Sequence, residues 1–389
     1  MFILKEVDLA LYIHIPFCKR KCPYCDFFSL PKLPKESLYL RAILKEIKLL
    51  PKFLENRKLS TPLVIKTVYV GGGTPSLMSP SFYAVLFEEI SKIFKFEPEE
   101  ITLEANPESF TEDLAKGYKK VGINRISLGV QTFQEKGLHF LKRAHSVKEI
   151  YLALEHLYLA QFSNFSLDFI FGWSGQGLKT LEKDLAKISE INPPHLSFYE
   201  LTIYPGTAFH KLYGEKPSFV QENRLLKLAK FIRYYLKRQG YIHYELSNYA
   251  KPGYECKHNL YYWKGKNYLG IGTGAVSRIG NIRFQSVKNL DHYYRALLKE
   301  NRLPYIILEK LDSFNECKEK IFMGLRLREG LDISELSTLG YTIEEDTINY
   351  LIKRKLLEKQ KKRIYLSEKG SFLHNQVVKF LWRFLKKVS

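Results

Sequence analysis

Six strand-sized apolar segments alternate with five amphipathic helical patterns in the first 200 residues. The predicted strands are Leu9–Ile15, Thr67–Val70, Ile101–Glu104, Arg125–Gly129, Ser166–Ile170 and His195–Glu200. The helical patterns between them cover Glu36–Leu50, Pro80–Phe94, Thr111–Val121, Val147–Ala160 and Leu178–Ile191. Strands joined by helical crossovers lie parallel in one sheet. Six such units favour a partial barrel over an open sheet, and we therefore predict an α/β fold with a partial (β/α)6 barrel.

The repeating pattern divides the chain into three regions. Residues 1–240 form the predicted barrel. Residues 241–304 are predicted to be an irregular linking region, because periodicity is lost around 252–274. Residues 305–389 are predicted to form a small α-rich, winged-helix-like domain. Its predicted helices are Ser313–Arg328, Ile333–Leu339, Ile343–Arg354 and, after a basic hairpin, Ser371–Val388.

The lengths of the apolar segments and the pattern of cysteines argue against a membrane-spanning protein and against a secreted one. No apolar run approaches the roughly 18 residues that span a bilayer. The N-terminal segment carries Glu6 and Asp8 and has no small-residue cleavage site, which argues against a secretory signal. Five cysteines, three of them within eight residues, do not resemble a secreted disulfide framework. We expect a cytoplasmic protein.

Basic residues are concentrated near the C-terminus. The net charge is +20, and residues 350–389 hold 12 Lys or Arg against two Glu. Such a patch suits a peripheral contact with an anionic membrane surface, whereas the alternative is a solvated basic face. The basic residues are spread over several elements rather than focused on one recognition helix, so no nucleic acid partner is expected. The apolar stripe of the last helix either docks on its own domain or lies on a membrane.

The sequence Cys18-Lys-Arg-Lys-Cys22-Pro-Tyr-Cys25 follows the first predicted strand. Thiolates spaced in this way within one loop can converge on a metal centre. A zinc site normally has four ligands, and no partner stands nearby with zinc-finger spacing. Three thiolates instead fit a four-iron, four-sulfur cluster that leaves one iron free to bind a small molecule.

Further polar residues follow later strands. Gly72, Gly73 and Thr74 belong to a glycine turn, whose backbone can approach a ligand closely. Glu104, Gln131 and Asp168 lie at or near the carboxyl ends of successive strands. Active sites of parallel barrels occupy that face, and we therefore expect these side chains to meet in one site.

Cys-x3-Cys-x2-Cys after a first strand resembles the signature of radical S-adenosylmethionine (SAM) proteins. The flanking LYIHIPFCKRKCPYCDF is similar to the oxygen-independent coproporphyrinogen III oxidase family, and within it to a branch of haem chaperones. The resemblance extends over nearly the whole chain. It implies a cluster on the three cysteines and SAM contacts from Tyr12, Tyr24, Gly72, Gly73, Thr74, Glu104, Gln131, Arg143 and Asp168. One departure is Gly172-Trp173-Ser174-Gly175, where the family usually has Gly-Leu-Pro-Gly.

A second distinctive motif is His258-Asn259-Leu-Tyr-Tyr262-Trp263, preceded by Cys256. Histidine is a common axial ligand of haem iron, and neighbouring aromatic residues can form a flat apolar wall. The alternative is a hydrogen-bonded histidine in an aromatic cluster. The motif resembles one linked to haem binding in the chaperone branch, which makes haem a predicted cofactor.

The resemblance implies a protein that binds haem, a [4Fe-4S] cluster and SAM and transfers haem to acceptor respiratory proteins. The alternative is an enzyme that decarboxylates coproporphyrinogen III propionates by radical chemistry. Phe27 stands where the oxidase has a fourth cysteine, and the oxidase's longer N-terminal segment is lacking. Both features favour the chaperone. We assign no catalytic residue and leave open whether the protein is an enzyme.

Overall fold

The computed structural model describes residues 6–57, 62–215 and 217–388. The first part of the chain alternates strands and helices. The strands are β1 Val7–Ile15, β2 Phe17–Cys18, β3 Leu30–Pro31, β4 Leu63–Gly72, β5 Lys95–Ala105, β6 Arg125–Gln131, β7 Phe165–Phe171 and β8 His195–Glu200. The helices are α1 Glu36–Glu55, α2 Pro80–Ile93, α3 Glu112–Lys120, α4 Glu135–Phe140, α5 Val147–Leu159 and α6 Leu178–Ile191. All six predicted strands and all five predicted helices are present, and the largest differences are that β5 begins at Lys95 instead of Ile101 and α1 ends at Glu55 instead of Leu50.

Strands β1, β4, β5, β6, β7 and β8 are parallel neighbours in that order. The sheet has two free ends rather than a closed ring of strands. Strand β4 is buried along nearly its whole length, as expected for a central parallel strand with covered faces. The α/β partial-barrel prediction is confirmed.

Local signals set several helix starts. The Ser79 hydroxyl accepts a hydrogen bond from the Phe82 amide, so that α2 begins directly after a capping serine and at a proline. Helix α5 begins with a capping box formed by Ser146 and Glu149. These caps fix where each helix leaves the loop that follows a strand, and thereby where the strand-end residues point.

The region predicted to be irregular is largely regular, and that prediction is wrong. Helices α7 Ala208–Tyr213 and α8 Glu222–Arg238 lie between β8 and this region. The region itself contains β9 Ile242–Glu245, β10 Asn248–Ala250, α9 Lys257–Trp263, β11 Tyr268–Ile271, β12 Val276–Ile279, β13 Ile282–Ser286 and α10 Leu290–Tyr294, and β14 Tyr305–Lys310 follows it. Strand β11 pairs parallel with the free side of β1, and β12, β13 and β14 extend that edge antiparallel. Elements of three to seven residues separated by glycines are too short to show a recognisable period.

The C-terminal region forms a separate small domain with its own core. Its elements are α11 Ser313–Gly324, β15 Leu331–Asp332, α12 Ser334–Ser337, β16 Tyr341–Ile343, α13 Glu345–Lys353, β17 Leu357–Gln360, β18 Arg363–Leu366, α14 Glu368–Ser371, α15 His374–Arg383 and β19 Leu385–Lys387. Three helices, the predicted basic hairpin β17–β18 and the short β15 beside it give the winged-helix-like arrangement.

The last predicted helix is shorter than expected and packs on its own domain. Of the predicted range Ser371–Val388, only residues 374–383 are helical as α15, and residues 385–387 instead pair with β16. Val377, Val378 and Leu381 on α15 are buried in the core of this domain. Most of the apolar stripe is thus covered by the protein itself, whereas Phe384 is 38% exposed. Among the described helices, none combines the length and the apolar character needed to cross a bilayer.

Candidate functional site

A cavity of about 640 Å³ lies at the carboxyl ends of the parallel strands. It is lined by twelve of the predicted site residues: Cys18, Cys22, Tyr24, Cys25, Gly72, Gly73, Thr74, Glu104, Gln131, Arg143, Asp168 and Trp263. Four others do not line it: Tyr12, His258, Asn259 and Tyr262. The strand ends therefore bring together most of the residues that the sequence singled out.

The cysteine loop leaves the sheet directly after β1. Cys18 is buried, and Cys22 and Cys25 are half-buried. Burial raises the pKa of the Cys18 and Cys25 thiols. In the described part of the chain, no three His, Cys, Asp or Glu side chains are grouped closely enough to hold a single metal ion. All three cysteines nevertheless line the same cavity, which suits a larger multi-iron group.

Arg143 lies beside this loop. Its Nη1 donates to the Cys22 Sγ at 3.3 Å and to the Tyr24 hydroxyl at 3.3 Å, and its Nη2 donates to the Asn106 Oδ1 at 2.5 Å. Its Nε is buried and has no hydrogen-bond partner among the described residues. A buried donor without a partner is costly unless a ligand satisfies it. The cation and its free N–H suit both a thiolate-bound cluster and the carboxylate of an amino acid.

The glycine turn holds the cysteine loop against the sheet. The Gly73 amide donates to the Ile15 carbonyl at 2.7 Å, and the Thr74 amide donates to the Phe17 carbonyl at 2.7 Å. A Cβ on Gly73 would lie 2.5 Å from the Phe17 carbonyl oxygen. Glycine is therefore required at 73 by close approach to the protein's own backbone, whereas the sequence suggested close approach to a ligand.

Gly72 is constrained by its backbone as well as by its neighbours. Its φ of +113° is a conformation that side-chain-bearing residues rarely adopt, and an added Cβ would lie 2.5 Å from the His14 ring. Its amide donates to the Glu104 Oε2 at 3.1 Å. Gly72 thus lets the end of β4 turn across the end of β5.

Two carboxylates face the cavity from β5 and β7. Glu104 accepts from the Tyr69 hydroxyl at 2.9 Å in addition to the Gly72 amide. The pKa of the Glu104 carboxyl is raised to about 7, chiefly by burial and also by nearby Asp168, against the lowering effects of the hydrogen bonds from Tyr69 and from the Gly72 amide. Asp168 accepts from the Ser127 and Ser166 hydroxyls, each at 2.7 Å. Both carboxylates are held in place and suit an ammonium or hydroxyl group of a ligand.

Gln131 sits at an irregularity in the sheet. The register between β6 and β7 shifts between Leu128 and Gln131, and Gln131 has a φ of 68°. Non-glycine residues in this region are uncommon and collect at functional sites. The bulge turns the Gln131 side chain into the cavity instead of the core.

The segment 172–175, where the sequence departs from the family pattern, contains a buried tryptophan. Trp173 is 2% exposed and packs in a cluster with Leu201 and Phe209, against which Tyr24 also packs. The Arg224 guanidinium donates to the Gly172 carbonyl at 2.8 Å and to the Gln176 carbonyl at 2.6 Å. The loop is thus held by an apolar cluster and by one arginine.

The His258 motif lies on helix α9 rather than in an irregular loop, which corrects its predicted setting. His258 is fully buried; its Nδ1 hydrogen-bonds the Thr67 hydroxyl at 2.9 Å and its Nε2 the Tyr262 hydroxyl at 3.0 Å. Asn259 is half-buried and lies outside the cavity wall. Trp263, at the end of α9, does line the cavity.

Several residues of the cavity wall were missed at the sequence level: Tyr69, Asn106, Ser127, Tyr199, Tyr204 and Arg326. Tyr69 and Ser127 lie in strands whose inward face could have been derived from alternation. Arg326 comes from the C-terminal domain, packs on the Trp263 ring at 4.2 Å and pairs with Glu245 at 3.0 Å. No local pattern marks it, because its position depends on how two domains meet.

Comparisons with known proteins agree with this geometry. The profile of the Radical SAM superfamily matches residues 12–188, and that of the HemN C-terminal domain matches residues 312–373. The chain is 33% identical over 382 residues to Heme chaperone HemW of Lactococcus lactis, covering 96% of this chain and 97% of that protein. It is 31% identical over 377 residues to Heme chaperone HemW of Bacillus subtilis, with 95% and 97% covered.

Among solved structures, the fold is similar to that of coproporphyrinogen III oxidase (HemN) from Escherichia coli. The TM-score is 0.81 at 22% sequence identity, over 97% of this chain and 90% of that one. At this level of identity the similarity concerns the fold, and it includes both the barrel and the C-terminal domain.

Proposed function

Because the chain belongs to the HemW family of heme chaperones within the radical SAM superfamily, we propose that it binds haem and transfers it to acceptor proteins. The observation that carries this proposal is the similarity to HemW proteins over almost the full length of both chains. We further propose that the acceptors are respiratory proteins, reached in the cytoplasm or at the inner face of the membrane, with the basic C-terminal residues making any contact with anionic lipid.

We propose a [4Fe-4S] cluster on Cys18, Cys22 and Cys25. The three cysteines that line one cavity and the guanidinium of Arg143 beside Cys22 support this assignment. When bound, the cluster would supply an iron with a free coordination position and an electron. The described lining of the cavity contains no fourth cysteine, and SAM is the molecule we expect at that position.

The SAM site would use the strand ends. The unpartnered Nε of Arg143 suits the carboxylate of SAM, and Glu104 and Asp168 suit its ammonium and ribose hydroxyls. Tyr24 and Gln131 line the same cavity. Tyr12 does not line the cavity but packs on Tyr69, which does: its ring stacks on the Tyr69 ring, and its hydroxyl hydrogen-bonds the His14 Nδ1 at 3.0 Å.

We propose that haem contacts the 258–263 motif at Trp263. Trp263 borders the cavity, Phe27 is 68% exposed beside the cysteine loop, and Arg20, Lys21 and Arg326 add positive charge around them. Aromatic faces and cations suit a flat ring with two carboxylates. His258, Asn259 and Tyr262 would shape this end of the site from behind.

The second candidate function is oxygen-independent coproporphyrinogen III oxidase. The fold is similar to that of this enzyme, and this similarity is the reason for testing the alternative. An anaerobic assay separates the two functions: cluster-loaded protein is incubated with coproporphyrinogen III, SAM and a reductant, and protoporphyrinogen is measured. We expect no turnover, and formation of protoporphyrinogen at a useful rate would establish the enzyme.

Haem binding is expected to survive loss of the cluster. Trp263 and Arg326 lie outside the cysteine loop, whereas Arg20 and Lys21 belong to it. The variant with Cys18, Cys22 and Cys25 all replaced by serine should therefore still bind haem. Spectral titration at micromolar haem tests this. A wild-type protein that does not bind haem would remove the chaperone proposal.

Asp168→Ala is expected to weaken SAM binding about ten- to a hundredfold, the loss expected for one hydrogen bond to a charged group. Calorimetry on the cluster-loaded protein measures it. Asp113→Ala, at an exposed position on α3 outside the cavity wall, is the control. Equal affinities in both variants would remove Asp168 from the SAM site.

A further inference from the structure

His258 is unavailable as a ligand in this structure, and its surroundings indicate another role. It is fully buried, and both ring nitrogens form hydrogen bonds, to Thr67 and to Tyr262. Iron could bind either nitrogen only after one of these bonds is broken and the helix is moved. The contacts of the His258 ring with neighbouring side chains indicate its role.

The ring of His258 packs against the ring of Tyr69, with centroids 5.2 Å apart. Thr67 and Tyr69 are two residues apart on β4, and so both point to the same side of the strand. Tyr12 stacks on Tyr69 as well, with centroids 6.4 Å apart. Tyr69 is thus held between a histidine and a tyrosine, and its hydroxyl donates to the Glu104 Oε1 at 2.9 Å.

Helix α9 is itself fixed at its first turn. The Glu100 carboxylate accepts from the Lys257 and His258 amides, each at 3.1 Å, and from the Cys256 Sγ at 3.4 Å. Glu100 lies on β5, the strand that carries Glu104 four residues later. The histidine is therefore anchored to the strand whose end faces the cavity.

A second chain of hydrogen bonds links the same helix to Asp168. The Cys256 amide donates to the Tyr244 hydroxyl at 3.2 Å, which bonds the His195 Nε2 at 2.9 Å. The His195 Nδ1 bonds the Ser166 hydroxyl at 2.8 Å, and that hydroxyl donates to the Asp168 Oδ1 at 2.7 Å. Both cavity carboxylates are thereby connected to α9.

We propose that His258 is a positioning residue for the Glu104 carboxylate, acting through the ring and hydroxyl of Tyr69. This inference rests on the proposed SAM site. It assigns to the histidine of the haem-linked motif a contribution to SAM binding, whereas Trp263 at the other end of the helix is the residue that borders the cavity.

The test is calorimetry of SAM binding to the full-length, cluster-loaded protein. We expect His258→Ala and Tyr69→Phe each to lower affinity about tenfold, as for one hydrogen bond to a charged group. The double variant should lose no more SAM affinity than the single variant with the larger loss, because both changes remove the same support. His258→Gln, which can still bond Thr67 and Tyr262, should recover part of the loss.

The pH dependence of SAM affinity distinguishes positioning from a general loss of stability. The pKa of Glu104 is about 7, and the Tyr69 hydrogen bond favours the ionised form. The charged and titratable groups around it are Tyr12, Tyr69, Asp168 and Tyr199. The ammonium of SAM prefers the ionised carboxylate, so affinity should fall as pH drops through this pKa. In Tyr69→Phe and His258→Ala, the midpoint should move to higher pH.

His374→Ala is the matched control, because His374 is a buried histidine with both nitrogens bonded, but in the C-terminal domain. It should change neither SAM affinity nor the midpoint. Wild-type affinity and midpoint in Tyr69→Phe would overturn the inference, even if His258→Ala does not fold. Fully additive losses would also overturn it. Failure of the wild-type protein to bind SAM would instead overturn the proposed SAM site, and the inference with it.

Discussion

Replacement of Cys18, Cys22 or Cys25 by serine is expected to abolish the reconstituted four-iron, four-sulfur cluster. The three cysteines line the same cavity, and a serine hydroxyl is a poor substitute for a soft thiolate toward iron. Iron and sulfide analysis of each purified variant after anaerobic reconstitution measures the effect. We expect each single variant to lose essentially the whole cluster, since two thiolates and a solvent-facing iron do not hold it.

The two remaining cysteines supply the controls. Cys317 is buried in the core of the C-terminal domain, and its Sγ faces the Leu336 carbonyl at 3.9 Å. Cys256 is buried beside Glu100, at the start of α9. Cys317→Ser and Cys256→Ser should both retain the cluster. A full cluster in Cys22→Ser, or its loss in Cys317→Ser, would contradict the assignment.

Gly73→Val should disturb the cluster and the SAM site together. An added Cβ would lie 2.5 Å from the Phe17 carbonyl and 2.9 Å from the Ile15 carbonyl, both of which belong to rigid backbone. Overpacking of this kind costs about 1–3 kcal/mol of stability, and a β-branched side chain adds further crowding. We therefore expect a lower Tm, reduced iron content and loss of SAM binding, because the cysteine loop must move.

Gly177→Ala is the comparison for that variant. A Cβ at Gly177 would meet no atom within 4 Å, so its substitution should leave Tm and iron content close to those of the unaltered protein. If Gly73→Val binds the cluster normally and loses only SAM, then the glycine serves the ligand and the packing argument is incorrect.

The barrel could be predicted from sequence because its strands are long and strictly alternate with helices. Strands such as β4, with ten residues, and helices such as α6, with fourteen, show their period clearly. Strand β11, with four residues, does not, and its pairing with β1 joins positions far apart in the chain. Such a contact depends on tertiary packing, and a short stretch of sequence does not determine it.

The site was predictable where a side chain follows a strand directly. Glu104, Asp168 and the cysteines lie at such positions, and the cavity contains them. The burial of His258 could not be foreseen, since a motif gives residue types and spacing but not which side of the helix faces the sheet. Arg326 reaches the cavity from another domain, and sequence alone gives no indication of that contact.

The position of β1 between β4 and β11 has a consequence for the order of events during synthesis. Seven parallel strands, β11 included, form the central part of the sheet, but β11 leaves the ribosome long after β8. Until Ile271 has emerged, one edge of β1 has no partner and can pair with other chains. The cysteine loop follows β1 directly, and the strand that carries it therefore completes its pairing only after the segment up to Ile271 has been synthesised.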